Sequence, residues 1–491
     1  MTDLRRQVVV AGAGAAGIAA AVAAARNGAQ TLLVEYNGFL GGVSATLGWI
    51  GFHDNRYRQV VRGLAHEFIG ELQRRGEASP YVLDAKCSSI ATLNTHIWKI
   101  VAMEECLRAG VEVMLHTHVV AALRERDRIT GIEVEHKSGR QRIHGDVVID
   151  ASGDGDVAAR GGAEWEKGRT GDGLVQAPTL VFRVGGIDRA RFIAACKDRS
   201  NNYREWLHPY PDLWAKMMRR IDTEPVFITG GFAGLIEKAM RAGDFEVPQS
   251  RLVGVMTHVT DEFLVVSTRV LGLDPVDVRS LSDAYARVYQ QIPVLLTFFR
   301  KYLPGWERAH VREIAPMLGI RESRRIMGDY VLSEADLVEG RTFSDVVAMG
   351  GYHIDIHRPS GTWVESRNVQ AYGIPLRCLV ARGVDGLMMA GKCLSATHEA
   401  VASTRVIPIC MAQGQAAGTA AAIAVRTGRT VREISVDRLQ TTLIEQGAEL
   451  GQGLGDPNPE LIERIGVLPH REPATTGDRD AASMAETAWV R

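Results

Sequence analysis

Apolar positions along this chain switch between two periods. Residues 8–10 are three consecutive valines, a β-branched run suited to a buried strand. Residues 18–26 are almost all alanine and valine. Alanine has the strongest helix propensity, and side chains this small can bury against a sheet. Asn27-Gly28 supplies a C-terminal stop, and residues 31–34 form the next apolar run, a strand. Farther on, Ile97, Ile100, Val101 and Leu107 approximate a helical stripe that ends at Ala109-Gly110. Residues 111–115 and 118–123 then alternate like strands. Residues 128–134 and 141–143 read as a hairpin turned at 137–140, leading to an apolar strand at 147–150. In the middle of the chain 180–184 and 264–268 read as strands, and 280–302 as a helix with Leu281, Tyr285, Val288 and Tyr289 on one face. A sheet backed by helices is the simplest arrangement there. From Pro469 onward apolar periodicity is lost, which predicts a mobile arm.

The first strand and helix are joined by Gly12-Ala13-Gly14-Ala15-Ala16-Gly17. Gly12 permits a tight bend, Gly14 lets backbone approach a pyrophosphate, and Gly17 lets helix and strand pack closely. Glu35 ends the second strand, where a carboxylate accepts from ribose hydroxyls and repels a 2′-phosphate. The full context of strand, turn, helix, strand and acid predicts a dinucleotide site and disfavours NADP. By itself it does not choose between NAD and FAD. A second glycine-rich helix entrance, between Gly391 and Gly418, exceeds what one nucleotide motif needs.

Three further segments carry a family resemblance. Residues 37–46, with Gly41, Gly42, Val43 and Thr46, resemble the paired-glycine loop along the flavin pyrophosphate and ribityl in glutathione-reductase-like FAD-dependent oxidoreductases. Residues 147–156, with Ala151 and Gly153, resemble the internal strand-to-turn motif of that superfamily, and residues 391–418 its last flavin-binding helix. The chain is most similar to the group that includes xanthan-lyase-like proteins and is related to heterodisulfide reductase A subunits and fumarate-reductase flavoproteins; the resemblance spans most of residues 5–430. It implies FAD as the cofactor, held by Gly12, Gly14, Ala15, Ala16, Gly17, Glu35, Gly41, Gly42, Val43, Thr46, Ala151, Gly153, Gly391, Arg405 and Met411, with Val119 at the adenine. It further implies a Rossmann-like α/β FAD-binding domain in three layers, built from residues 1–165 and 345–432. An α+β cap would lie at 166–344, and an extension with a tail at 433–491.

Cysteine spacing narrows the chemistry. The six cysteines form no short-spaced pair or cluster run, which argues against an iron–sulfur centre, and the loop at 38–49 holds none, which argues against thiol–disulfide exchange. Scattered single cysteines and the lack of an apolar leader predict a reducing, cytoplasmic setting. No run of about eighteen apolar residues offers a membrane span. With 46% hydrophobic and 23% charged residues and a net charge of −1, no global field would draw nucleic acid. At 491 residues one core is implausible and two domains are expected. A homodimer is the default assembly for a soluble enzyme of this kind.

Three clusters are candidates for the reaction. In an extended strand His353, Asp355 and His357 share a face while Ile354 and Ile356 take the other. Such a face can supply a proton acceptor, with Asp355 fixing an imidazole tautomer. A structural polar strand and a metal site of two histidines and a carboxylate are the competing readings, and no metal site is assigned. Arg321 and Arg324 suit bidentate binding of an anionic substrate or of the cofactor pyrophosphate, or else ion pairs with Glu322 and Asp329. The third cluster runs from Lys392 through His398 to Arg405, where a loop histidine with an ordinary hydrogen bond is favoured over covalent attachment.

The favoured activity is hydride transfer between a C–H bond of a small or medium organic substrate and flavin, with His353 or His357 taking the proton and Arg324 contributing to the site. A flavin monooxygenase using NAD(P)H and oxygen stays open, as does a non-catalytic or electron-relay flavoprotein subunit.

Overall fold

A computed structural model of the chain describes residues 3–84, 87–204, 207–362 and 364–455. The tail expected to be mobile from Pro469 lies outside the described residues. The valine run becomes the strand Leu4–Ala11, parallel to Thr31–Val34 on one side and to Gly139–Asp150 on the other. Glu112–Met114 extends the sheet beyond Thr31–Val34, and Leu387–Met389 lies parallel to the end of Gly139–Asp150. A strand from the last quarter of the chain thus completes a sheet begun at residue 4.

Residues 139–150 form one continuous strand rather than the two separate runs expected at 141–143 and 147–150. Gly145 explains the continuity, because a Cβ there would lie 3.0 Å from Val9 Cγ2 and the missing side chain lets the backbones stay in register. Along its length this strand changes partner. Its first half pairs antiparallel with Arg128–His136, which pairs in turn with His118–Glu125, and its last residues take Leu387–Met389.

Alternation along the central strand separates two cores. Val8 and Val10 join Val147 and Ile149 beneath the helices Ala15–Arg26 and Ile407–Thr427. Val9 and Ala11 join Val148, Ile129, Ile132, Val157 and Ala158 on the opposite face. A sheet buried on both sides in this way reads as continuous apolar runs, as observed at 8–10 and 31–34. The result is a Rossmann-like α/β fold with three layers. The two helices touch at backbone level: a Cβ on Gly414 would lie 2.1 Å from Ala16 O, and one on Gly418 2.1 Å from Ala20 O.

The middle of the chain forms a five-stranded antiparallel sheet in the order Phe227–Gly231, Leu252–Met256, Phe263–Val265, Phe182–Gly185, His310–Ile314. The 25-residue helix Val278–Tyr302 packs into the same core, which is distinct from the two cores of the parallel sheet. That helix buries Ala284, Val288, Ile292, Leu295, Phe298 and Phe299, so its rotation is set by its C-terminal aromatics, and Tyr289 is exposed. The helix Thr95–Arg108 shows the same correction. It buries Trp98, Val101, Ala102 and Cys106, leaving Ile100 48% and Leu107 61% exposed. Trp98 brings the larger apolar area and packs on Phe68 with ring centroids 5.7 Å apart, which fixes the helix phase.

No single helix among the described residues is long and apolar enough to cross a membrane. The bent pair His398–Thr404 and Ile407–Thr427, related by 92°, has the necessary length and composition together, but most of both helices is buried in this fold.

Candidate functional site

The turn after the first strand is shaped by contact. Gly12 has φ +95°, and a Cβ on it would sit 2.6 Å from Ala151 O; a Cβ on Gly17 would sit 1.8 Å from Gly12 O. Gly14 differs, because a Cβ there would meet nothing within 4 Å. It therefore forms the open lip of a cradle at the N-terminus of Ala15–Arg26, a helix start with no side-chain cap. Gly41 donates its N–H to Ala13 O at 2.8 Å and bridges to Gly14, bringing the loop of Gly41, Gly42, Val43 and Thr46 across the same turn. Thr46 Oγ1 donates to Val43 O within that loop.

Glu35 sits behind this turn. Its Oε2 accepts from Ala13 N–H at 2.7 Å, and its Oε1 accepts from the backbone and side-chain amides of Asn37, each at 2.8 Å. Burial raises its pKa against the pull of those donors. Thr117 N–H donates to Glu35 O, which places the start of the strand carrying half-buried Val119 at the same end. From the other end of the chain, Gly391 N–H donates to Gln413 Oε1 at 2.9 Å, and Gln413 Nε2 donates to Thr404 O. A Cβ on Gly391 would lie 3.3 Å from Ala16 Cβ. The helix Ile407–Thr427, with Met411 buried in its first turns, also starts without a side-chain cap. Two helix N-termini without side-chain caps and a recessed carboxylate make a donor and acceptor set that fits a dinucleotide pyrophosphate and ribose.

Lys392 ties this end to the strand-to-turn motif. Its Nζ donates to Gly153 O at 2.6 Å and to Ser323 Oγ at 3.0 Å, and it pairs with Asp154. Burial alone would raise the Asp154 carboxyl, but the Lys392 charge, the hydrogen bonds from Lys392 and Ser323 and the Arg324 charge together outweigh it and the pKa falls. Arg324 belongs to this linkage too: its Nε donates to Asp154 O at 2.7 Å, it pairs with Asp156, and it lies over the Trp165 ring.

The strand Ile354–His357 pairs antiparallel with Val364–Arg367. Ile354 and Ile356 enter the core, while Asp355 and His357 face the other way. His357 Nε2 lies 3.2 Å from Asp355 Oδ2, and His353 Nε2 lies 3.9 Å from Oδ1. The Tyr352 ring is tilted against His353 with centroids 4.2 Å apart. Arg405, at the end of His398–Thr404, reaches back to this strand and donates to Asp355 O at 2.9 Å. Burial first, and the Arg321 charge second, hold the His357 pKa down at about 3, so the ring is neutral and, with nothing bound, a weak proton acceptor.

Comparison with known proteins settles the family. A model of the FAD dependent oxidoreductase family matches residues 7–443. The chain belongs to that family. A thiamine thiazole synthase from Aeropyrum pernix is 32% identical over 189 residues, covering 36% of this chain and 63% of the relative. A digeranylgeranylglycerophospholipid reductase 1 from Methanopyrus kandleri is 31% identical over 163 residues, covering 30% of this chain and 39% of the relative. The chain thus spans less than two thirds of the length of these curated relatives. Among solved structures, p-nitrophenol 4-monooxygenase PnpA from Pseudomonas putida DLL-E4 aligns over 100% of this chain and 95% of its own at 14% identity and TM-score 0.47.

In this FAD dependent oxidoreductase the cofactor is FAD, and the glycine motifs from both ends of the sequence meet at one sheet. His353, Asp355, His357 and Arg405 are brought together; Arg324 stands apart from them, on the Asp154–Asp156 turn, and Arg321 feels the Asp355 charge without pairing with it. Glu322 and Asp329 pair with Arg325 and Arg432 rather than with Arg321 or Arg324. His398 Nδ1 lies 2.8 Å from Glu322, an ordinary buried hydrogen bond. Sequence reasoning missed Gln176 and Arg269, which lie outside any recognisable motif, and the bracing role of Gln413 inside the 391–418 segment. It also missed the close-packing role of Gly414 and Gly418, for which the four-residue spacing in an alanine-rich helix was the available signal.

Proposed function

We propose that this FAD-dependent oxidoreductase oxidises a C–H bond of a small organic substrate, with the Asp355–His357 pair taking the accompanying proton. The observation that carries the reading is the 3.2 Å contact between His357 Nε2 and Asp355 Oδ2, made beside Arg405 at the entrance to the closing helix. FAD, when bound, supplies the two-electron acceptor for the hydride. Asp355 accepts from Nε2, which selects the tautomer whose lone pair is on Nδ1, and Nδ1 takes the proton from the oxygen or nitrogen next to the carbon being oxidised. Arg405 holds the Asp355 carbonyl and faces its carboxylate, which keeps the carboxylate turned toward His357. His353, the second imidazole against Asp355, is the alternate acceptor. The six buried, free cysteines support the expected cytoplasmic setting.

Anaerobic stopped-flow measurement of flavin bleaching tests this. With a donor that reduces the wild type, His357→Gln is expected to slow reduction by about 100- to 10,000-fold at unchanged flavin content. Full rates in both His357→Gln and His353→Gln would remove the assigned base. Rapid reduction by NADPH that a candidate substrate accelerates would favour the monooxygenase reading instead.

A further inference from the structure

The Asp355 side of the His–Asp strand gathers cations from three segments. Arg269 follows the cap strand Phe263–Val265, Arg321 lies between His310–Ile314 and Arg324–Ile326, and Arg405 precedes the closing helix. Arg321 and Arg269 both sense the Asp355 charge, and Arg405 pairs with it at 3.5 Å. The other carboxylate close by, Glu322, is engaged by Arg325 and His398. Arg321 has no ion pair among the described residues; its Nη1 donates to the neutral acceptors Ala177 O at 2.6 Å and Thr179 Oγ1 at 2.9 Å.

Two more donors point the same way. Arg405 Nε and Gln176 Nε2 are buried without a hydrogen-bond partner, and Gln176 is itself fully buried, with its Oε1 accepting from His357 N–H. Buried guanidinium groups that repel one another and are only partly balanced by Asp355 carry a large desolvation cost unless a further anion joins them. Burial and the neighbouring Arg405 pull the Arg321 pKa down to about 9, the electrostatic sign of that imbalance.

We propose that Arg321 and Arg405, with the Gln176 side-chain amide, form a subsite for a carboxylate group of the substrate. A planar carboxylate matches the guanidinium fork, and charge-assisted bonds in a water-poor site carry most of the affinity. The assignment rests on reading the His–Asp strand as the face that meets substrate. It also gives the subsite a second task. Arg321 is the strongest charge opposing protonation of His357. A carboxylate seated on Arg321 cancels part of that opposition, so the imidazole becomes a better proton acceptor once an acidic substrate is in place.

The experiment titrates purified FAD-loaded protein with acetate, malonate and succinate, and with acetamide and succinamide as uncharged counterparts. The perturbed visible flavin band and calorimetry are the readouts. At least one carboxylate is expected to bind saturably and at least about tenfold tighter than its amide. Arg321→Gln is expected to weaken that binding by about 10- to 100-fold, with FAD content and melting temperature held, and Arg321→Lys to give a smaller loss. Equal binding of acid and amide, which needs no variant to observe, would overturn the proposal. So would wild-type carboxylate affinity in both Arg321 variants, or loss of FAD from them without any change in carboxylate affinity, which would place the fork on the cofactor pyrophosphate. Carboxylate binding that depends on Arg321 while His357→Gln reduces at full rate would leave the subsite standing and remove the base. Slow reduction in His357→Gln without selective carboxylate binding would do the reverse.

Discussion

In the nucleotide cradle the contacts are made by backbone: Gly12 against Ala151, Gly17 against Gly12, Gly41 against Ala13, and Gly414 and Gly418 against the helix Ala15–Arg26. Around Asp355 the Arg405 side chain makes the contact and the charges of Arg269 and Arg321 are felt from segments far apart in sequence. The first region holds its shape mainly by excluding Cβ atoms, with Glu35 and the Lys392–Asp154 pair as its charges. The second concentrates charge in a site where water is scarce, and its shape depends on which partners balance that charge. A backbone-made site tolerates little steric change, whereas a side-chain-made site tolerates shape changes and responds to pH and to anions.

The largest expected effect breaks the first region. Gly418→Val would drive a side chain into Ala20 O, at 2.1 Å from the new Cβ, and separate the two helices. A loss of about 3 kcal/mol or more is expected, with little flavin retained, read by chemical unfolding and by the flavin-to-protein absorbance ratio. A melting temperature and flavin content close to wild type would show that the helices do not touch as described.

The next sharpens the second region. The folded protein holds His357 near 3, against an ordinary 6.5. The unfolded chain therefore takes up a proton between those values that the folded chain refuses, and stability falls as pH drops below about 6.5. His357→Gln should flatten that fall. His53, held near 4 by burial, keeps a similar slope of its own in the variant. Urea unfolding at about pH 7 and about pH 5 measures the difference. An unchanged slope in His357→Gln would show that the ring is not disfavoured as a cation.

Smaller effects follow. Glu35→Gln weakens the acceptor behind the glycine turn, and FAD affinity should fall about tenfold in an equilibrium binding assay with apoprotein. Arg324→Gln removes a partly buried pair with Asp156 and the hydrogen bond to Asp154 O, and should cost about 1–2 kcal/mol of stability.

The same contrast explains what was legible in the sequence. Gly12, Gly14, Gly17 and Glu35 lie within one strand–helix–strand unit, so their spacing encodes their geometry. The pairing of His353, Asp355 and His357 follows from the two-residue period of an extended strand. Gln176 and Arg269 reach the site only through the folding of the middle of the chain, and no local pattern marks them. Arg321 and Arg324 are three residues apart in the same charged run. Which of them is left without an acidic partner depends on Asp156 lying under Arg324, a contact between segments 168 residues apart. Helix phase was misjudged where aromatic area, at Trp98 and Phe298–Phe299, outweighed the aliphatic stripe.

A crystal structure of the FAD-loaded protein tests the central claim most directly. The pyrophosphate is expected against Gly14 at the start of Ala15–Arg26, and the isoalloxazine beside the entrance to Ile407–Thr427 with His357 and Arg321 on its open side. An isoalloxazine ring remote from the Ile354–His357 strand would contradict it.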